Sequence, residues 1–306
     1  MSTAPIVRLG TRGSPLARWQ ADWVTAQLRQ LGYQVEQILI STQGDVRSGP
    51  IGSFGGQGVF TKEIQRALLE GQVDLAVHSM KDLPTEVIDG LSVAAIPPRE
   101  KVGDVLISPG GVTLEQLPAG ARVGTGSMRR RAQLLNVRPD LQLIDIRGNV
   151  DTRLKKLDSG DYEAIVLAEA GLTRLGLSER ILQVLPKSVM LPAVGQGALA
   201  LETRTSDEAT RAAVAKLDDA ETHAAVVAER ALLATLRGGC LAPVGAWGRV
   251  EGGALKLDAV VLSPDGRERR YGQIEGAPAD AANLGRDLAE RLAAEGARDL
   301  IAASRA

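Results

Sequence analysis

The feature that most constrains this chain is a recurring change of period. Short apolar runs rich in β-branched residues, at 6–9 and 35–40, flank a segment at 15–31 in which Leu16, Trp19, Trp23 and Leu31 mark a helical stripe. Side chains alternate across a strand but return every 3.6 residues along a helix, so the alternation predicts an α/β fold. Ser14 followed by Pro15 is a helix entry: the hydroxyl caps a free amide, and proline gives up no needed hydrogen bond.

The same rhythm sets the domain layout. A glycine-rich stretch at 44–58 breaks the periodicity ahead of a helix expected over 61–70; it reads as a mobile loop and a candidate lid. A strand at 73–77 leads into HSMKDLP at 78–84, which puts Lys81 and Asp82 just past a strand's C-terminal end. Open α/β sheets usually place ligand chemistry there. After PPREKVGD at 97–104 a second alternation begins, with strands at 104–107, 121–124, 141–146 and 163–167. Helices are expected at 127–136 and 149–157, opened by the capping residues Ser127 and Asn149, the second closed by Gly160. A segment at 198–202 returns to the first lobe. A helix at 218–236 then runs into GGC, followed by period-two strands at 244–250, 254–262 and 268–274 and helices at 280–294 and 298–303. The expected domains are an α/β lobe over 1–98 with a return segment at 196–216, a second α/β lobe over 102–194, and a small α+β domain over 218–306.

Composition narrows the chemistry. Lys and Arg number 36 and Asp and Glu 37, a formal net charge of -1, so no global field draws the chain to nucleic acid or to an anionic membrane. Aromatics at 3% leave few platforms for stacking bases. The start has no basic region followed by an apolar one, and no apolar run is long enough to span a bilayer, from which a cytoplasmic location is expected. One cysteine, Cys240, and two histidines, His78 and His223, leave no intramolecular disulfide and little for a soft-ligand metal site. Any anion must be held by local clustering.

Such clusters exist. Thr125, Ser127, Arg129 and Arg130 stand at one expected strand-to-helix junction, and Arg147 and Arg153 around the next. A helix N-terminus offers unpaired amides and partial positive charge, and arginine adds a planar fork that fits a carboxylate. The plainer alternative, arginines on solvated helix faces, stands beside that reading. Lys81 and Asp82 could be a surface salt bridge, or a carboxylate placed to stabilise positive charge on a substrate. His78 on a strand is more often a packed core residue than a base. An unpaired cysteine is usually a small buried hydrophobe, yet Gly238 and Gly239 would leave the Cys240 thiol in a thin-walled loop open to a bulky attachment.

Taken in order, the blocks TRGSPLARWQA (11–21), FTKE (60–63), HSMKDLP (78–84), GTGSMRRR (124–131), RGNVDTR (147–153), LAEAGLTRLGL (167–177), LPAVGQGALALE (191–202) and AERALLATLRGGC (228–240) resemble the porphobilinogen deaminase family, also called hydroxymethylbilane synthases, nearly end to end. The resemblance implies three domains, two α/β lobes like those of solute-binding proteins and a small α+β C-terminal domain with a cysteine loop. It implies a monomeric transferase of tetrapyrrole and heme biosynthesis that joins four porphobilinogen units head to tail, with loss of ammonia, into hydroxymethylbilane. The growing chain extends from a dipyrromethane cofactor bound by a thioether, which falls here on Cys240. The catalytic carboxylate falls on Asp82. Lys81, Thr125, Ser127, Arg129, Arg130 and Arg147 would join them in holding the cofactor, and Arg12, Ser14, Gln20, Lys62, Arg147, Arg153 and Arg174 would bind substrate carboxylates. No metal is implied. Three positions depart from the family pattern: Gln57 where a basic residue is common, Gly126 for a serine, and Asp151 for a small residue, none of which removes a proposed catalytic group. The rival from another class is a non-catalytic bilobal carrier of anionic solutes.

Overall fold

The computed structural model describes residues 6–42, 61–239 and 242–305, so Cys240, Gln57 and the expected lid at 44–58 lie outside the described residues. By its contacts the chain divides into two compact units, Met1–Arg99 with Ala198–His223 and Glu100–Gly197 with Ala224–Ala306.

The first unit is an α/β lobe. Its strands are β1 (Ile6–Thr11), β2 (Gln34–Leu39), β3 (Leu75–Ser79), β4 (Leu91–Ala95) and the returning strand β10 (Leu199–Arg204), in the spatial order β2-β1-β3-β10-β4. β1 runs parallel to β2 and β3, whereas β10 is antiparallel to β3 and β4. Helix α1 (Pro15–Gln30) begins as expected: Ser14 is extended, its Oγ accepts the Ala17 amide at 3.4 Å, and Pro15 occupies the first turn. The buried stripe differs from the expected one. Ala21, Val24 and Leu28 pack on Val7, Leu9, Leu75 and Leu201, while Leu31 is exposed. Small residues let the helix approach the sheet, which leaves the bulky tryptophans at the margin. On the other face α2 (Lys62–Leu69) buries Ile64, Ala67 and Leu68 against Val73, Ala76 and Leu91. Each fully buried Leu or Ile side chain contributes about 1.5–3 kcal/mol of transfer free energy.

In the second unit, β5 (Asp104–Ile107), β6 (Arg122–Gly124), β7 (Gln142–Ile144), β8 (Ala164–Ala168) and β9 (Gln183–Val184) form a sheet ordered β7-β6-β8-β5-β9. Three parallel strands are again followed by an antiparallel one, β5. Helices α3 (Met128–Val137), α4 (Val150–Asp158) and α5 (Glu169–Arg174) cover it, and Leu106, Val123, Leu134 and Val166 fill one side while Val105, Leu157, Ile165 and Leu172 fill the other. The uninterrupted apolar run of β8 is what a strand buried on both faces requires. Ser127 caps α3 by accepting the Arg130 amide. Asn149 occupies the N-cap position of α4 but makes no side-chain capping bond, contrary to expectation, and Gly160 follows that helix with a φ of 83°.

The same unit holds a small α+β domain. Strands β11 (Val244–Glu251), β12 (Ala254–Leu262) and β13 (Arg269–Gly276) form an antiparallel meander beneath α7 (Ala220–Thr235), α8 (Ala281–Ala294) and α9 (Ala297–Ala303), with α6 (Glu208–Val214) preceding α7 in the first unit. Leu255, Leu257, Ala259 and Val261 point inward against Leu232, Leu288 and Leu292, as period two demands. Val260 and Leu262, on the opposite face, meet Ala132 and Leu191 of the lobe.

Candidate functional site

In the first lobe, β3 runs directly into a single 3₁₀ turn, Met80–Asp82, which lifts Lys81 and Asp82 off the sheet end half-buried. Met80 anchors the turn: its side chain is buried and its amide donates to the Ala198 carbonyl at 3.0 Å. Buried Gln20 donates from Nε2 to Ser79 Oγ at 2.8 Å, tying α1 to the last residue of β3. The Asp82 carboxylate makes no hydrogen bond or ion pair among the described residues, which leaves its oxygens available to a ligand. Arg12 and Ser14 stand at the β1-to-α1 junction, Ser14 as the helix cap, and Lys62 is exposed in the first turn of α2.

His78 is buried, as the plainer reading had it. Its Nε2 lies 3.1 Å from Glu202 Oε2, and Gln65 donates to Glu202 Oε1 at 3.0 Å, so the imidazole belongs to a closed polar group inside the lobe.

The second lobe gathers the other candidates at two adjacent junctions. Thr125 donates its amide to the Ile144 carbonyl at 2.9 Å, which sets the β6-to-α3 loop beside the β7-to-α4 loop. Arg147 Nε donates to Asp145 Oδ2 at 2.8 Å, and Arg153 Nε to the Gly148 carbonyl at 2.7 Å. A side chain at Gly126 would have no room: its Cβ would lie 2.9 Å from Asp145 Oδ1 and 3.0 Å from the Ile146 carbonyl. The departure from serine at that position thus leaves space for the acid beside Arg147.

Arg129 and Arg130 are not on a solvated face. Both are buried, and both grip Asp104, the first residue of β5, which has 0% exposure. Arg129 Nη1 donates to Asp104 Oδ2 at 2.7 Å and to the Leu191 carbonyl at 2.6 Å; Arg130 donates to Asp104 Oδ1 from Nε at 2.9 Å and from Nη2 at 2.7 Å, and to the Val166 carbonyl at 3.0 Å. Burial alone would push the Asp104 carboxyl up, but the two guanidinium groups hold it well below the usual carboxylate range. One carboxylate against two guanidinium groups leaves an excess positive charge, and the buried Arg129 Nε has no hydrogen-bond partner among the described residues. An uncompensated buried charge and an orphan donor are costly without a ligand.

Arg174 is also buried and donates to the Gly197 carbonyl at 2.7 Å; burial pulls its guanidinium down to about 10, with Glu100 acting in the opposite sense. In the same unit, Gln133 clasps Leu191 through both backbone groups, Gln196 donates to the Val102 and Gly103 carbonyls, and Glu229 accepts the amides of Gly195 and Gly248 at 2.7 Å each. Asp104, Asp145, Gln196 and Glu229 were not singled out from sequence. Near the expected cofactor loop, two residues past the end of α7, Arg237 has a φ of 55°, a left-handed residue where glycine was the natural candidate, and Gly238 packs so tightly that a Cβ would meet Leu233 at 2.5 Å.

Comparison with known families and relatives bears on this arrangement. Residues 7–212 match the model described as "Porphobilinogen deaminase, dipyromethane cofactor binding domain", and residues 223–294 match "Porphobilinogen deaminase, C-terminal domain". The chain belongs to the porphobilinogen deaminase family. A porphobilinogen deaminase from Desulforudis audaxviator is 52% identical over 304 residues, covering 98% of both chains. The enzyme of the same name from Trichlorobacter lovleyi is 47% identical over 298 residues, covering 96% of this chain and 95% of that one. Among solved structures, a periplasmic substrate-binding protein of an ABC transporter from Coxiella burnetii gives a TM-score of 0.43 at 15% identity, covering 69% of this chain and 91% of that one.

The described donors fit the polycarboxylate that a deaminase of this family holds. Lobe 2 presents excess guanidinium charge, an unpartnered buried N–H and, at Asn149, a helix start without a side-chain cap, all suited to carboxylates and none to a soft metal. Among the described residues no group of His, Cys, Asp and Glu could hold a metal ion, and no helix is long and apolar enough to cross a membrane.

Proposed function

We propose that this chain deaminates porphobilinogen and condenses four molecules head to tail into hydroxymethylbilane, using a dipyrromethane primer held on Cys240, and that it works as a cytoplasmic monomer without nucleic-acid or membrane partners. The observation that carries the reading is the buried pair of guanidinium groups sharing one carboxylate, set within a region that matches the family's cofactor-binding domain. Once bound, dipyrromethane supplies the pyrrole carbon to which the first porphobilinogen couples.

The chain's own residues divide the work by charge. Arg129, Arg130 and Arg147, with Thr125, Ser127 and Lys81, hold the cofactor carboxylates, and each charge-assisted contact is worth about 1.5–3 kcal/mol. Arg12, Ser14, Gln20, Lys62, Arg147, Arg153 and Arg174 receive the acetate and propionate groups of incoming substrate. Gln20 acts through Ser79 and keeps the turn after β3 in place. Asp82 faces the positive charge that develops as ammonia leaves, accepts hydrogen bonds from pyrrole N–H groups and relays protons. A carboxylate without a partner among the described residues is free to do this.

Asp82→Asn keeps the size of the side chain and removes its charge. Turnover of porphobilinogen should fall by roughly a hundredfold or more, while circular dichroism and the cofactor adduct are retained. A rate near that of the unaltered protein would defeat the assignment. Ammonia release also separates the enzyme from a carrier of anionic solutes, which would bind porphobilinogen and leave it unchanged.

A further inference from the structure

We infer that Asp104 is a positioning residue: it fixes the planes of the Arg129 and Arg130 guanidinium groups and sets the charge they present to a ligand carboxylate. The inference rests on the reading of those arginines as carboxylate-binding groups. Asp104 has 0% exposure and sits at the first position of β5, so it cannot itself touch a ligand. Its Oδ1 accepts from Arg130 Nε at 2.9 Å, from Arg130 Nη2 at 2.7 Å and from Arg129 Nη2 at 3.2 Å, and its Oδ2 accepts from Arg129 Nη1 at 2.7 Å. Both guanidinium planes are therefore locked to a single carboxylate.

Counting donors shows what is left over. A guanidinium carries five N–H groups. Arg129 spends both hydrogens of Nη1, on Asp104 and Leu191, and its Nη2 on Asp104 and a long contact to Gln196 at 3.5 Å; only Nε lacks a partner among the described residues. Arg130 Nη1 and Nη2 each make one bond of the two they can donate. The cluster keeps one net positive charge and three spare donors in fixed directions. A second buried acid would cancel that charge, and without Asp104 the two like charges would repel and swing apart. A single aspartate is the arrangement that leaves two arginines both fixed and cationic.

The test reads cofactor loading, not only turnover. Asp104→Asn, Asp104→Glu and the control Arg130→Gln are purified, and the fraction carrying the covalent adduct is read by intact mass spectrometry beside circular dichroism and the unfolding midpoint. Asp104→Asn should remain folded with its adduct fraction, or its rate of loading from porphobilinogen as apo-protein, lowered roughly tenfold or more. Asp104→Glu, which restores the charge one methylene away, should recover part of the loading. Normal loading of Asp104→Asn alongside defective Arg130→Gln would overturn the inference alone. Normal loading of Arg130→Gln would remove the arginine reading and the inference with it. Failure of both Asp104 variants to fold would assign the residue to core stability and overturn the proposal.

Discussion

Gly126 decides what its neighbours can do by having no side chain. The Arg147–Asp145 pair it makes room for is half exposed, and exposed pairs contribute about 0–1 kcal/mol, so the pair orients Arg147 more than it stabilises the fold. In Gly126→Ala the methyl group would press on Asp145 Oδ1, which can yield, and on the Ile146 carbonyl, which cannot without moving β7's exit. The variant should lose about 1–3 kcal/mol of stability and show a raised KM for porphobilinogen with kcat less affected. Thermal unfolding and steady-state kinetics check this; an unchanged midpoint with an unchanged KM would contradict it. Legibility at this scale was uneven. The motif around Lys81 and Asp82 could be read because strand periodicity places it at a sheet end. Asp104 could not: an acid opening a four-residue strand looks in one dimension like a surface residue, and its partners stand 25 and 26 positions away. The arginines were located correctly at a helix start but not as buried, because burial here depends on an acid from a different strand.

Elements with a clear period were the legible ones. β5 and β12 appear with the expected bounds, and α1, α3 and α8 within a residue or so. Elements too short to show a period were not: β4, α5, α6 and the two-residue β9 carry their order from tertiary contacts, such as the β5 pairing that defines β9. Helix packing was equally hidden. In α8 a Cβ at Gly285 would lie 2.2 Å from the Ala228 carbonyl and 2.9 Å from Ala231 Cβ, so α7 and α8 meet backbone to backbone. Gly285→Ala must push the helices apart and should destabilise the protein by about 1–3 kcal/mol, despite the higher helix propensity of alanine. A midpoint equal to or above that of the unaltered protein would show the contact to be looser than described. Because α7 leads toward Cys240 through the left-handed Arg237, adduct formation in this variant should suffer more than its stability loss alone implies.

Across the whole chain, a formal net charge of -1 coexists with a local excess of positive charge at the Arg129–Arg130 pair. The charge excess is local, made by placing two guanidinium groups on one buried acid, and whole-chain composition conceals it. The overall α/β plan was legible because it repeats: each lobe has parallel strands interrupted by one antiparallel strand, and the third sheet is an antiparallel meander. The grouping of the α+β domain with lobe 2 in one compact unit was not, since it depends on Val260 and Leu262 meeting Ala132 and Leu191. The central claim is that these parts serve a polycarboxylate anchored to the one cysteine of the chain. The most direct measurement is intact mass spectrometry of the purified protein, followed by peptide mapping. The expected result is an added mass equal to two linked pyrroles, confined to the peptide that contains Cys240 and missing from Cys240→Ser. An unmodified mass in a preparation that still converts porphobilinogen to hydroxymethylbilane would contradict it.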